Sequence, residues 1–131
     1  MNAHTQDFSD ICDVLQHYFD GLYHGDLTRL AQVFHPQAVY ATAVPHEPLI
    51  LHMEAYFEIV KNRCSPAFKN EARIDEVLSI ERVGPVTAMA KVRCAIADKR
   101  FVDLLSLIRA GGRWQIMAKV FHYELEGGTV A

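Results

Sequence analysis

The chain has 131 residues, enough for one domain with a hydrophobic core and too few for two ordinary domains. Half of the residues are apolar and 22% are charged, with a formal net charge of -3, a balance that favours a globular protein over a disordered one. No basic stripe occurs, so we do not expect specific nucleic-acid binding. The 3 cysteines are widely spaced and include no C-x-x-C pair, which argues against a disulfide framework and a zinc site.

The apolar runs are too short to span a bilayer, and the N-terminus lacks the basic and apolar regions of a signal peptide. These features predict a cytoplasmic protein that does not enter a membrane. We expect a single domain over residues 1–131, loosely ordered at about 1–7 and 126–131.

An apolar periodicity near the start of the chain predicts a first helix from about Ser9 to Tyr23, with Ser9 as its N-cap. One stripe of this helix carries Ile11, Val14, Leu15, Tyr18 and Leu22. Gly25 then ends the helix, and Asp26 can cap a second, shorter one. We expect His35-Pro36 to stop that second helix, because the residue before a proline disfavours helical geometry.

The remaining elements are mainly strands. Strands are predicted near 38–43, 49–51, 72–83, 86–98, 100–110 and 113–123, with a third helix at about 52–63. Turn signals occur at Gly84-Pro85, Asp98-Lys99 and Gly111-Gly112. The order α-α-β-β-α-β-β-β-β places most helices first and antiparallel strands last, which is the α+β pattern.

The strand alternation assigns side chains to two faces of the sheet. With two-residue turns at Asp98-Lys99 and Gly111-Gly112, Cys94 is predicted to face Asp103, and Phe101 to face His122. The inward face then carries Ala90, Val92, Cys94, Phe101, Asp103, Leu105, Leu107, Trp114, Ile116, Ala118, Val120 and His122. A shift of one residue at either turn would exchange the two faces on that strand.

The opposite face of the sheet mixes apolar and basic side chains. It is predicted to carry Met89, Lys91, Arg93, Val102, Leu104, Ser106, Ile108, Met117, Lys119, Phe121 and Tyr123. This mixture suits a subunit interface better than open solvent, so we expect a homodimer through the outer face.

Asp103 is the strongest single candidate for chemistry, because a carboxylate on an apolar inward face is costly unless it is paired, protonated or next to a wet cavity. It is either a pocket acid, base or ligand anchor, or a structural partner for His122 or a backbone amide. As a pair, Asp103 and His122 would suit proton transfer near neutral pH. The alternative for His122 is a strand-end histidine bonded to solvent.

A small set of residues is predicted to line the cavity. The hydroxyl of Tyr18 lies on a buried stripe and needs a hydrogen-bond partner, either in the core or on a ligand. Tyr40 and Thr42 share parity on the first strand and are expected to line the same cavity. Further lining residues are predicted at Phe57, Cys94, Leu105 and Trp114, each of which could instead be plain core.

The sequence contains no spacing typical of a metal site, no glycine-rich phosphate loop and no serine with an evident base partner. We therefore expect neither a metal nor a cofactor.

Two segments carry a family resemblance. Residues 15–38 read LQHYFDGLYHGDLTRLAQVFHPQA, which combines an aromatic helix, a Gly-Asp break and a Phe-His-Pro-x-Ala turn into a strand. The final hairpin reads D-x-L-S-L, then G-G-x-W-x-I, then K-V-F. Together these segments resemble the nuclear transport factor 2-like superfamily, most closely its lumazine-binding-like branch.

The resemblance implies a cystatin-like α+β roll, in which a cone-shaped, curved sheet wraps around three helices with a pocket at the wide end. It also implies a homodimer built through the outer sheet face. Against the ketosteroid isomerases of the same superfamily, Tyr18 matches the pocket tyrosine, whereas the catalytic base falls on Thr42, which cannot act as a base at neutral pH. Their second aspartate falls near Leu105, with Asp103 one step away on the same face.

Three functions are compatible with these patterns. The apolar inward face predicts a homodimeric domain that binds an unidentified small apolar or heteroaromatic molecule. A second hypothesis is a cofactor-free lyase or isomerase, of the polyketide cyclase or dehydratase type, that uses Asp103 and His122 with Tyr18 as hydrogen-bond donor. A third is a protein-interaction module whose pocket is filled by its own side chains.

Overall fold

The computed structural model describes residues 3–127. The helices are α1 (Ala3–His24), α2 (Leu27–Val33) and α3 (Met53–Asn62). The strands are β1 (Phe34–Thr42), β2 (Leu49–His52), β3 (Asp75–Val83), β4 (Thr87–Ile96), β5 (Lys99–Ala110) and β6 (Arg113–Leu125). The strands form one 6-stranded mixed sheet in the order β2-β1-β6-β5-β4-β3, in which only β1 and β6 run parallel among the described strands. The predicted α+β class and element order are confirmed.

The first helix begins earlier than predicted, at Ala3 and not at Ser9. The reason is Asp7, which is buried within the helix: it accepts a hydrogen bond from Trp114 Nε1 at 3.3 Å and forms an ion pair with Arg82 Nη2 at 2.8 Å. These partners are distant in the sequence, so the local pattern around Ser9 does not reveal them. Residues 1, 2 and 128–131 of the predicted loose ends lie outside the described residues.

The junction between α1 and α2 follows the predicted capping. Gly25 has φ +63°, a conformation that favours glycine, and Asp26 is the N-cap of α2, with its Oδ1 accepting a hydrogen bond from Arg29 N at 3.1 Å. A Cβ on Gly21 would lie 2.7 Å from a methyl carbon of Leu30, so glycine permits the close packing of α1 and α2. α2 ends at Val33, and β1 already begins at Phe34, before the predicted stop at His35-Pro36.

The register of the β4–β5 hairpin differs from the prediction by two residues. The turn is formed by Ala97 and Asp98, with Ala97 at φ +55°. Cys94 therefore pairs with Phe101, and Val92 pairs with Asp103. The predicted pairing of Cys94 with Asp103 is wrong, but the inward face of both strands is retained because side chains alternate with a period of two.

The β5–β6 hairpin contains a β-bulge. Leu107 pairs with Ile116 as predicted, but Ser106 pairs with Ala118, so Met117 is an extra residue on β6. A single extra residue bends the strand and reverses the alternation of the side chains beyond it.

The bulge reverses the predicted faces along the second half of β6. Asp103 pairs with Phe121, Leu105 pairs with Lys119 and Phe101 pairs with Tyr123, so the predicted pairing of Phe101 with His122 is wrong. Lys119 and Phe121 are buried with 4% and 7% of their surface exposed, whereas Val120 is 48% exposed. The inward face of β6 therefore changes from even-numbered to odd-numbered residues at Met117.

The helices pack against the inward face of the sheet and form one hydrophobic core with it. The most buried side chains come from all the layers, and they include Ile11, Leu15, Tyr18, Leu30, Phe34, Tyr56, Val60, Val92, Leu105, Leu107 and Ile116. Besides Asp7, the interior contains two more buried charged residues among those described, Asp103 and Lys119, which are 0% and 4% exposed. Asp103 and Lys119 are therefore the starting point for describing the chemistry of the interior.

Candidate functional site

Asp103 and Tyr18 form a buried hydrogen bond between β5 and α1. The Tyr18 hydroxyl donates to Asp103 Oδ2 at 2.6 Å, and both residues are 0% exposed. Burial, and then the neighbouring Asp103 carboxylate, raise the pKa of Tyr18 well above its ordinary value. Tyr18 therefore stays protonated and acts as the donor. The other carboxylate oxygen, Oδ1, is buried without a hydrogen-bond partner.

Cys94 completes this side of the interior. Its thiol donates to Asp103 Oδ2 at a distance of 3.8 Å. Burial, followed by the adjacent carboxylate, raises the pKa of Cys94, so the group is a thiol and not a nucleophilic thiolate at neutral pH.

Lys119 lies in the same interior because of the bulge in β6. Its ammonium donates to the Tyr56 hydroxyl at 3.4 Å. The nitrogen also lies over the rings of Tyr18, Tyr40, Tyr56 and Phe121, at 5.2, 5.6, 5.3 and 5.4 Å from their centroids. Such cation–π contacts stabilise an ammonium that has lost its water.

The charge of Lys119 offsets that of Asp103. Burial on its own lowers the pKa of Lys119, but Tyr56, Asp103 and Cys94 raise it, and the net direction is upward. The lysine is therefore an ammonium at neutral pH and is not available as an amine nucleophile. We call Tyr18, Tyr56, Cys94, Asp103 and Lys119 the buried polar cluster.

A cavity of ≈ 430 Å³ opens next to this cluster. Its lining residues are Tyr40, Thr42, Val44, Pro45, Leu49, Ile59, Arg63, Cys64, Lys69, Ile96, Ala97, Lys99, Phe101, Phe121 and Tyr123. Tyr40 and Phe121 line the cavity and also contact Lys119, so their rings form the wall between the cavity and the cluster. The wall is aromatic throughout, because the Tyr40 and Phe121 centroids lie 4.8 Å apart and those of Phe101 and Phe121 lie 5.7 Å apart.

His122 does not join Asp103. It pairs with Val102 on the outer face of the sheet, and half of its side chain (51%) is exposed. Its ring lies 3.9 Å from the Glu124 carboxylate, which is also exposed. The predicted Asp103–His122 pair is therefore wrong, and the reason is the extra residue at Met117.

The other predicted lining residues separate into three groups. Tyr40 and Thr42 line the cavity, and the Thr42 hydroxyl donates to the Phe121 carbonyl at 2.7 Å. Tyr18 and Cys94 belong to the buried polar cluster behind the aromatic wall.

Phe57, Leu105 and Trp114 lie away from the cavity. Leu105 is fully buried in the core, and the Phe57 ring packs on Tyr56 with centroids 5.8 Å apart. Trp114 is held by its hydrogen bond to Asp7. None of these three residues is among those that line the described cavity.

The residues of this region that sequence reasoning missed include Arg63, Lys119, Phe121 and Tyr123. A signal for three of them exists in β6. The aromatic residues change phase along this strand, from the even-numbered Trp114 to the odd-numbered Phe121 and Tyr123, and such a change indicates a bulge between them. Arg63 follows α3 as its C-cap, where an arginine is ordinary, so no local pattern distinguishes it.

The part of the chain that the structure describes has no helix with the length and hydrophobicity that a membrane span requires. It also contains no group of three or more His, Cys, Asp or Glu side chains that could hold a metal ion.

The chain matches a protein-family model over most of its length. A model described as "Putative lumazine-binding" matches residues 6–122. The chain belongs to this family. No curated protein matches it.

Solved structures of this family's fold are similar over almost the whole chain. An NTF2-like protein of unknown function from Silicibacter pomeroyi is 20% identical, with a TM-score of 0.84 over 95% of this chain and 100% of that one. One from Shewanella baltica is 23% identical, with a TM-score of 0.84 over 95% and 98% of the two chains. A ketosteroid isomerase-like protein from Erwinia carotovora atroseptica is 10% identical, with a TM-score of 0.69 over 88% and 94%. At these identities the likeness shows the nuclear transport factor 2-like fold.

Proposed function

We propose that this chain is a small-molecule-binding domain and that its ligand occupies the ≈ 430 Å³ cavity. The observation that carries the proposal is the cavity itself, whose volume falls within the range of about 300–1,000 Å³ usual for ligand pockets. Its walls combine aromatic and aliphatic side chains with several polar ones, and ligand pockets ordinarily contain both kinds of side chain.

The aromatic wall favours a flat, apolar or heteroaromatic ligand. Tyr40, Phe101 and Phe121 offer ring faces and edges against which a planar molecule can stack. The family description refers to lumazine, a fused heteroaromatic compound. A flat molecule of this class can stack on the aromatic side chains of the wall. Tyr40 and Thr42 are the predicted ligand contacts that this proposal retains.

Native mass spectrometry tests the proposal. We expect the purified protein to carry a small-molecule adduct that is lost on denaturation, or to bind lumazine or 2-naphthamide saturably. Phe101→Ala should weaken binding by about tenfold or more, because it removes part of the aromatic wall. The matched control is Phe8→Ala, since Phe8 is 45% exposed on α1 and does not line the cavity. If neither an adduct nor saturable binding is found, the cavity is not a ligand site.

The acid–base alternative has less support. Asp103 is fully buried and lies behind the aromatic wall, so a ligand in the cavity does not reach its carboxylate in this conformation. His122, its intended partner, lies on the opposite face. Tyr18 donates to Asp103 and has no free hydroxyl proton for a ligand.

The interaction-module alternative requires a pocket filled by side chains. Leu105 and Trp114 do fill the interior, but they do so in the core and leave the ≈ 430 Å³ cavity open. A small ligand is therefore better supported than a collapsed pocket.

We also propose a homodimer through the outer face of the sheet. Leu104 and Val120 pair across β5 and β6 on this face and are 43% and 48% exposed. With Val102, Lys91 and His122 they line a shallow groove of ≈ 350 Å³. An apolar patch with a basic rim suits an interface between two copies, because contiguous exposed apolar surface is unusual on a monomer.

A further inference from the structure

The polar groups of the cavity are unevenly charged. Three of its lining residues are basic, namely Arg63, Lys69 and Lys99, and among the described lining residues none carries a carboxylate. A chain with a net charge of -3 thus presents a locally positive pocket. A pocket of one sign raises the local concentration of ligands of the opposite sign.

Arg63 has an unused hydrogen-bond donor. Its Nη2 atom is buried and has no hydrogen-bond partner. Its backbone N–H is already bonded to the Ile59 carbonyl at the end of α3, so the backbone of this residue is fixed. A buried guanidinium nitrogen without an acceptor is costly, and its planar fork matches the two oxygens of a carboxylate.

The positive charge of Arg63 acts electrostatically on the wall of the pocket. Burial raises the pKa of Tyr40, while Lys119 and Arg63 act in the opposite direction, so the guanidinium acts on a hydroxyl that belongs to the cavity wall. Lys99 also lines the pocket, and its ammonium lies 4.7 Å from the centroid of the Tyr123 ring. Lys69 is exposed at the rim.

We propose that the cavity selects a small organic monoanion of the carboxylate class with a flat apolar body, and that the carboxylate binds the guanidinium of Arg63. A single carboxylate is inferred because, among the described residues that line the cavity, Arg63 is the cation with a buried guanidinium nitrogen that lacks an acceptor, and one negative charge offsets its one positive charge. The flat body stacks on Phe101 and Phe121. This inference rests on the proposed function, since it names the ligand class of the same cavity.

Two probes of the same shape test the inference: 2-naphthoate, which is an anion, and 2-naphthamide, which is neutral. Binding of each is measured by isothermal titration calorimetry at pH 7. We expect the wild-type protein to bind 2-naphthoate about tenfold or more tightly than 2-naphthamide, because a charge-assisted bidentate contact is worth at least that factor. Arg63→Met, which keeps the length of the side chain without its charge, should bring the two affinities together.

A matched control is Arg109→Met, because Arg109 is exposed on β5 and does not line the cavity. It should retain the preference for 2-naphthoate. Equal affinities in the wild-type protein would overturn the anionic ligand while leaving the binding cavity standing, and so would an unchanged preference in Arg63→Met. Binding of neither probe would overturn the inference, and it would overturn the proposed function as well if the purified protein also carries no adduct and does not bind lumazine. The wild-type comparison does not depend on the folding of any variant.

Discussion

Lys119 and Asp103 carry opposite charges in a part of the core from which water is excluded. Each has neutral partners, namely the aromatic rings and the Tyr56 hydroxyl for the ammonium, and the Tyr18 hydroxyl for the carboxylate. A lone charge is costly at this depth, so the two opposite charges stabilise each other in the folded protein.

Removing Lys119 should therefore cost more than the loss of its contacts. We expect Lys119→Met to lower the free energy of unfolding by about 3 kcal/mol, because it leaves the Asp103 carboxylate uncompensated. Urea denaturation followed by circular dichroism measures this loss. Lys61→Met, at an exposed position on α3, is the matched control and should change stability by less than about 0.5 kcal/mol.

The double variant Lys119→Met/Asp103→Asn separates charge from packing. Neutralising both groups should restore part of the stability that Lys119→Met loses. A double variant less stable than either single variant would mean that the two charges do not compensate each other.

Residue chemistry explains which site residues the sequence could reveal. Asp103 and Tyr18 were recognisable because a carboxylate and a phenol stand out against an apolar pattern. Lys119 was not, because a lysine on a strand with two apolar faces is ordinarily assigned to the outside. Arg63 was hidden for a different reason, since its role depends on a cavity formed by distant strands.

At the scale of elements, the helices and hairpins can be predicted from local sequence signals, whereas the pairing register of the strands cannot. The Asp26 cap and the turn at Gly111-Gly112 depend on neighbouring residues and were predicted. The β6 bulge depends on whether the even-numbered or the odd-numbered residues of the strand pack against the helices. Both sets contain enough apolar residues to satisfy the strand pattern. The early start of α1 depends on Asp7, whose partners are in β3 and β6.

The N-terminal part of α1 should depend on Asp7. We expect Asp7→Ala to lower the free energy of unfolding by about 2 kcal/mol, because it removes the ion pair to Arg82 and the acceptor for Trp114. Thermal denaturation provides the measurement, and amide hydrogen exchange should show reduced protection confined to the first turns of α1.

Asp13→Ala is the control for this variant, because Asp13 is an exposed acidic residue on the same helix. It should leave both the melting temperature and the exchange of the first turns close to wild type. Equal effects of Asp7→Ala and Asp13→Ala would show that the buried contacts of Asp7 do not hold the helix.

At the scale of the whole molecule, the sheet lies between the two proposed sites, the ligand cavity and the dimer interface. Its inward face contributes the aromatic wall of the cavity, and its outer face presents Leu104 and Val120. The same strands, β5 and β6, supply both. Ligand binding and subunit association are therefore proposed on opposite sides of one hairpin.

The proposed dimer can be tested by measuring the mass of the protein in solution. We expect sedimentation velocity to give twice the chain mass of 14.8 kDa for the wild-type protein. Leu104→Glu should produce a monomer of 14.8 kDa, because it introduces a charge into a desolvated apolar patch. Phe68→Glu should remain dimeric, since Phe68 is 83% exposed in the segment after α3 and off the sheet. A monomeric wild-type protein would contradict the proposed interface.

The single extra residue at Met117 also has a consequence for relatives of this chain. An ungapped alignment that runs through β6 transfers interior positions to the solvent side whenever the other protein lacks the bulge. A lysine aligned with Lys119 would then lie on the surface, and a residue aligned with His122 would lie inside. A relative is therefore expected to share the buried ammonium only if it has both the lysine and the extra residue in the strand.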